Sequence, residues 1–340
     1  MKAIVQRRYG SPDDLELREV NKPVIGDDEV LVCVRAASVH PDVWHVVSGR
    51  PYVLRLMGAG FSAPTNPIPG TDVAGVVESV GSSVTRFHAG DPVFGETIAR
   101  QQWVNGGAYA EYVSVHQDLL ALKPDNVTFE QAASVPTSGF IALQNLRGLS
   151  QRPGQRVLVN GAGGGVGVLA LQIAKARGAQ VTAVDSTGEL DMLRSLGADE
   201  VVDYTREDFT RRGVRYDIIF DVPGNHSFSA CRRALKAEGR YVLIGHERFG
   251  ASGKPVFGLI PHFLTLVVLS RFVQQLRGPG VPTPTKKEAI ALLRELLQTG
   301  KITPIIDSTY HLSDVRKAFR HMIEDELQGK VIITPATACT

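Results

Sequence analysis

The chain has 340 residues, 43% of them hydrophobic and 21% charged, with a formal net charge of +2. That length suits two domains, and that balance is globular and gives no reason to expect nucleic acid or an anionic membrane as partner. Three cysteines, Cys33, Cys231 and Cys339, stand far apart; they suit a reducing compartment and exclude a four-cysteine zinc lobe.

Met1-Lys2-Ala3-Ile4-Val5 runs straight into a strand pattern without an apolar leader, so cytoplasmic residence is the expectation. Up to about Lys123 the chain reads as short β-runs: Ala3–Gln6, Glu29–Ala37, Val73–Val80, Pro92–Phe94 and Ala108–Val113. Turns such as Gly81-Ser82-Ser83 and Asn105-Gly106-Gly107 separate them. This spacing predicts a compact β-barrel-like domain over 1–123. From 124 to 300 strands and helices alternate in the βαβ rhythm of a doubly wound parallel sheet. The remaining elements are a helix over Lys286–Gln298, a run over Ile302–Tyr310, a helix over Val315–Ile323 and a strand over Lys330–Thr334. The segment 301–340 is expected to complete the β-domain.

The most informative stretch is Val157-Leu158-Val159-Asn160-Gly161-Ala162-Gly163-Gly164-Gly165-Val166-Gly167. An apolar strand enters glycines that let the backbone approach a pyrophosphate, and a helix beyond them offers its unpaired N–H groups and positive dipole end. The glycines form Ala162-x-Gly164-x-x-Gly167, one substitution from G-x-G-x-x-G. The helix Val168–Arg177 stops at Gly178, a second buried strand comes next over Gln180–Val184, and Asp185 lies 21 positions after Gly164, where an acid should grip the ribose hydroxyls. Asp185 repels a 2′-phosphate and favours NADH. Ser186, Thr187 and Arg194 are nevertheless placed to receive that phosphate, so NADPH stays open.

Pro255–Ser270 is a long uncharged stretch, short for a membrane span and broken by Pro255, Pro261 and His262. It reads as a pocket wall or a subunit interface. Within it, Leu264–Val268 is a strand-like run whose exposed edge would pair with a second copy in a homodimer.

Taken together, Ala37-Ser38-Val39-His40-Pro41-Asp42, Pro69-Gly70-Thr71-Asp72-Val73-Ala74-Gly75, Gly90-Asp91-Pro92-Val93-Phe94-Gly95, Gly107-Ala108-Tyr109-Ala110-Glu111-Tyr112, the glycine turn and Gly329-Lys330-Val331 resemble the medium-chain dehydrogenase/reductase superfamily. The resemblance is to its zinc-independent, quinone-oxidoreductase-like branch and covers nearly the whole chain. It implies an α/β protein with a GroES-like β-barrel catalytic domain and a Rossmann cofactor domain. It further implies that Thr137 and the backbone around Gly139, Gly245 and Val331 hold the nicotinamide end, with Lys330 also a cofactor-binding residue. Asp221 and Val222, ending a parallel strand, should pass beneath the cofactor.

Zinc-dependent relatives place a cysteine where this chain has His40, a His-Glu pair where it has Thr71-Asp72, and a third ligand near Ser134. Hydroxyl side chains are poor zinc ligands at neutral pH, so no metal is expected; an unusual site from His40, Asp42 and Asp72 lacks supporting spacing. Zinc-free relatives usually carry asparagine at position 40. Histidine there can donate to substrate or cofactor and can carry a proton near neutral pH, or it can cap a loop; Asp42 is either a catalytic polar group near the nicotinamide ribose or a turn residue.

Without a Lewis acid, conjugated acceptors are the natural hydride acceptors, because conjugation spreads the developing charge. The expected activity is NAD(P)H-dependent reduction of a quinone or α,β-unsaturated carbonyl, with Trp44, Tyr52, Phe61, Trp103, Phe140, Phe257 and Phe263 as candidate pocket residues. The alternatives are an alcohol/carbonyl dehydrogenase using a His40/Asp42 proton relay, and a dinucleotide-binding protein without turnover.

Overall fold

The computed structural model describes residues 1–99, 103–149, 154–245, 256 and 260–336. Contacts divide the chain into two compact units, Met1–Phe140 with Thr285–Gly300 and Pro304–Thr340, and Ile141–Pro284 with Lys301–Thr303.

The first unit opens with β1 (Lys2–Gln6) antiparallel to β2 (Leu15–Glu19). Its centre is β3 (Glu29–Ser38), a ten-residue strand buried along almost its whole length, as its continuous apolar run dictates. After β3 comes a helix the β-runs do not announce, α1 (Pro41–Ser48), started by Pro41 at its first position and closed by Gly49 at φ 63°. β4 (Asp72–Val80) pairs β3, β5 (Pro92–Glu96) pairs β4, β6 (Tyr112–His116) pairs the other side of β3, and β7 (Leu120–Leu122) pairs β5. The strand expected over Ala108–Val113 therefore begins only at Tyr112. Gly107 at φ 87° turns the backbone, and Ala110 makes only an isolated bridge to Ala3. Two helices come next, α2 (Phe129–Ala133), held by a Thr128/Gln131 capping box, and α3 (Pro136–Leu146), within which the division between units falls.

The second unit is a five-stranded parallel sheet in the order β10-β9-β8-β11-β12. The chain runs β8 (Arg156–Asn160), α4 (Gly165–Ala176), β9 (Gln180–Asp185), α5 (Leu190–Ser195), β10 (Glu200–Asp203), β11 (Tyr216–Asp221), α6 (Phe228–Arg233) and β12 (Leu235–Leu243). Crossing from β8 to opposite neighbours puts the switch of strand order at β8, the strand that feeds the glycine turn. The segment Leu264–Val268 is not a strand. It lies in α7 (Ile260–Leu269), where Leu266 joins the buried core while Leu264, Val267 and Val268 face outward. A single core contact at Leu266, flanked on both sides by exposed residues, suits a helix turn better than the alternation of a strand.

The chain then returns to the first unit with α8 (Lys286–Gln298), β13 (Ile306–His311), α9 (Val315–Glu324) and β14 (Lys330–Thr334). β14 pairs antiparallel with β3 and parallel with β13, completing a seven-stranded sheet. The boundaries expected at 123 and 301 thus move, because α2 packs on β3 and β4 and α8 packs on β7. Helices α3 and α8 also approach closely at Gly139, where a Cβ would lie 2.5 Å from a Leu293 methyl group. Among the described residues no helix is long and apolar enough to cross a membrane.

Candidate functional site

In the second unit, β8 delivers the chain into the glycine turn at Gly161, whose φ of 76° only glycine adopts without strain. Gly167 permits close packing of helix on strand, because a Cβ there would sit 2.0 Å from the Gly161 carbonyl oxygen. Helix α4 begins three residues earlier than its apolar pattern suggests, with Gly164 as an N-cap that supplies no side-chain hydrogen bond. Around Gly164 the space is open, the nearest atom to a Cβ being 4.0 Å away. An uncapped twelve-residue helix over open space at the end of the switch strand fits a pyrophosphate, which the amides of Gly165, Val166 and Gly167 would hold. Ala162 and Gly163 are buried beneath the turn.

At the end of β9, Asp185 Oδ2 accepts from the Gly163 amide at 2.6 Å and Oδ1 from the Ser186 amide at 2.9 Å. Ser186 Oγ donates to Glu189 at 2.6 Å, and Thr187 Oγ1 donates to Asp203. Asp221, ending β11, is fully buried and saturated: it accepts from Asn160 at 2.9 Å, Gly224 N at 3.0 Å and the Tyr241 hydroxyl at 2.8 Å. It ties the strand ends together, while the carbonyl of adjacent Val222 accepts from the Gly245 amide at 3.0 Å.

The first unit holds a buried polar cluster. His40 is the N-cap of α1, its Nδ1 accepting from the Asp42 amide at 3.1 Å. The ring is held well below its ordinary pKa by burial, then by the Lys330 ammonium and His45, so it is neutral with its proton on Nε2. Nε2 is buried and has no hydrogen-bond partner among the described residues. That burial disfavours the second proton a histidine can carry near neutral pH. Burial pushes the Asp42 carboxyl up to about 7, Lys330 opposing and Glu96 and Asp72 reinforcing. Lys330, on β14, is brought down to about 8 by burial against the pull of Asp72 and Asp42.

Behind these, Asp72 accepts from Ser38 Oγ at 2.6 Å and from the Thr137 amide at 3.0 Å. Thr137 Oγ1 lies 2.5 Å from Asp72 and 2.8 Å from Glu96, and its single proton serves one carboxyl at a time. Glu96, raised by burial, pairs with Lys286 of α8 at 2.7 Å.

Residues 26–125 match the family model described as alcohol dehydrogenase GroES-like domain, and residues 196–333 the one described as zinc-binding dehydrogenase. The 2-methylene-furan-3-one reductase of Solanum lycopersicum is 33% identical over 98% of this chain and 79% of its own length. The chain belongs to the medium-chain dehydrogenase/reductase superfamily, in its quinone-oxidoreductase-like branch. The chloroplastic NADPH-dependent alkenal/one oxidoreductase of Arabidopsis thaliana is 34% identical, over 98% of this chain and 80% of that protein. Among solved structures, the quinone oxidoreductase from Coxiella burnetii superposes with a TM-score of 0.81 at 27% identity, covering 98% of this chain and 99% of that one.

Ser134 Oγ donates to the Gln131 carbonyl at 2.7 Å and Thr71 Oγ1 lies 3.5 Å from Thr137 Oγ1. Among the described residues no three His, Cys, Asp or Glu side chains converge on a metal position. The aromatic candidates disperse. Trp44 packs on Phe319 with ring centres 6.0 Å apart, Tyr52 lies exposed beside Arg55, and Phe61 is 79% exposed. Phe140 lines a small depression with Glu96 and Lys286 in the first unit; Trp103 is half-buried there, Phe263 lines a groove with Leu266 and Arg240 in the second, and Phe257 lies outside the described residues. Val331 is buried in β14, its carbonyl accepting from Val39 N at 2.9 Å. Sequence reasoning missed Glu96, Lys286 and Glu189. Glu96 ends a β-run and Lys286 opens a helix, so only three-dimensional burial marks them out.

Proposed function

We propose that this chain is a zinc-independent, NAD(P)H-dependent reductase of quinones and α,β-unsaturated carbonyls that uses NADH in preference to NADPH. The observation that carries the reading is His40: a buried, neutral ring with an unengaged Nε2–H, fixed in direction by the Asp42 amide. An enone that receives hydride at its β-carbon gathers charge on its carbonyl oxygen. A preorganised donor out of water stabilises that charge without a metal. A bound dinucleotide would supply the hydride; one proton completes the saturated carbonyl, and the Asp42 carboxyl, raised by burial to about 7, would exchange it.

Support for the substrate class comes from the tomato and Arabidopsis relatives, whose names specify a methylene-furanone and alkenals or enones. Hydroxyl side chains at Thr71 and Ser134 support zinc independence. Asp185 at the end of β9 supports NADH. A relay through His40 and Asp42 for alcohol oxidation needs an imidazole that takes up a proton near neutral pH, and burial with Lys330 and His45 opposes that. A panel of enones, quinones and secondary alcohols assayed with both cofactors tests the reading. Enone or quinone turnover exceeding alcohol oxidation by at least about tenfold is expected; alcohol oxidation alone, or cofactor binding without turnover, would overturn it.

A further inference from the structure

The ends of β9 and β10 carry a concentration of acid that a single ribose-gripping aspartate does not explain. Asp185 and Asp203 are register partners on adjacent parallel strands, so their carboxylates emerge side by side. Glu189, buried, packs onto the glycine turn itself: a Cβ on Gly163 would lie 2.6 Å from Glu189 Cγ and 3.1 Å from Asp185 Oδ2.

Several side-chain donors at these strand ends are engaged by acids. Ser186 Oγ donates to Glu189 at 2.6 Å, Thr187 Oγ1 to Asp203, and Thr205 Oγ1 also to Asp203 at 2.6 Å. Arg206 pairs with Asp203 at 3.3 Å and Arg194 with Asp191 at 2.6 Å. The hydroxyls of Thr187 and Thr205 hold Asp203 below the ordinary carboxylate range, so it is charged at neutral pH. A dianionic 2′-phosphate needs several donors and tolerates no carboxylate at contact distance.

We propose that Glu189 is a specificity-determining residue which, with Asp203, closes the adenosine end of the site to a 2′-phosphate by engaging the Ser186 and Thr187 hydroxyls that would receive it. Discrimination against NADPH then belongs to three acids and not to Asp185 alone. The inference rests on the NADH reading above and assigns it to particular side chains.

Dissociation constants for NADH, NADPH, adenosine 5′-monophosphate and adenosine 2′,5′-bisphosphate, measured by calorimetry at one ionic strength, test it in the wild type, Asp185→Ser, Glu189→Gln and Ser186→Ala. Glu189→Gln removes a charge while keeping the side-chain shape. It should move the NADPH:NADH affinity ratio toward NADPH by about tenfold, equivalent to about 1.4 kcal/mol. Asp185→Ser alone should leave NADPH the weaker ligand. Ser186→Ala keeps the test open should the glutamine variant fold poorly: in the wild-type background it should leave adenosine 2′,5′-bisphosphate affinity unchanged within about twofold, because that hydroxyl is already engaged. An unmoved ratio in Glu189→Gln, a loss of bisphosphate affinity in Ser186→Ala, or NADPH preference from Asp185→Ser alone would each overturn the inference. Because these are binding constants, bound NADH without enone turnover would count against the reductase reading and an unmoved ratio against this one.

Discussion

Asp185 Oδ2 accepts a 2.6 Å hydrogen bond from the amide of Gly163, so the acid at the end of the second parallel strand is fastened to the turn that approaches the pyrophosphate. Strand end and glycine turn are thereby one unit, and a change at Asp185 is felt at both. Asp185→Ser should weaken NADH by roughly ten- to a hundredfold, the cost of a charge-assisted bond plus loosening of the turn. Fluorescence titration with NADH at fixed ionic strength measures it. An unchanged constant would contradict both the ribose contact and the coupling to the turn.

His40 separates donation from protonation. His40→Ala should lower turnover by about 10²–10³-fold, the usual effect of deleting an oxyanion donor, while NADH affinity stays within a fewfold of wild type. His40→Asn should recover part of the loss, since an amide also donates. Equal turnover in the alanine variant and the wild type would remove His40 from the chemistry.

Asp42 gives a pH signature in stability. Its carboxyl titrates near 3.8 when unfolded and about 7 when folded, so its contribution is fully present below pH 3.8 and is lost as pH rises through 7. Asp42→Asn lacks this loss. Between pH 5 and 8 the variant should therefore gain on the wild type by up to about 2 to 3 kcal/mol, most of it before pH 7. Urea denaturation at the two pH values checks the sign; a constant difference would show that Asp42 ionises normally.

Helix α7 presents Leu264, Val267, Val268 and, just beyond it, Phe272 at 59%, 62%, 58% and 80% exposure. We expect a homodimer held by helix contact and not by strand pairing, because contiguous apolar surface of this kind marks an interface. Val267→Asp with Phe272→Ser should shift sedimentation from dimer to monomer at micromolar concentration. A wild type that sediments as a monomer would contradict the dimer.

Much of the fold was legible because its signals are local. The run Gln155–Asn160, the glycines and Asp185 carry their own periodicity and spacing, and they stand in the structure as β8, the turn and the end of β9. The strand-like reading of Leu264–Val268 failed because a short apolar run fits either period, and the contact of Leu266 with the sheet core decided for a helix. Helix α1 went unread because Pro41 and Asp42 look like a turn, although His40 caps the helix N-terminus. In the polar cluster, His40, Asp42, Asp72 and Thr137 sit on motifs, but Glu96 and Lys286 are far apart in the chain and meet only through packing of α8. The engagement of Ser186 by Glu189 likewise depends on a short helical turn that no spacing rule announces.

Hydride delivery to a conjugated carbon is the step on which the proposed activity depends. Incubating the protein with an α,β-unsaturated ketone and NADH deuterated at C4, then locating the label by NMR, tests it most directly. The expected product is a saturated ketone carrying deuterium at its β-carbon, with the α-hydrogen drawn from solvent. Deuterium on a carbinol carbon, or no label in any product while NADH binds, would contradict it.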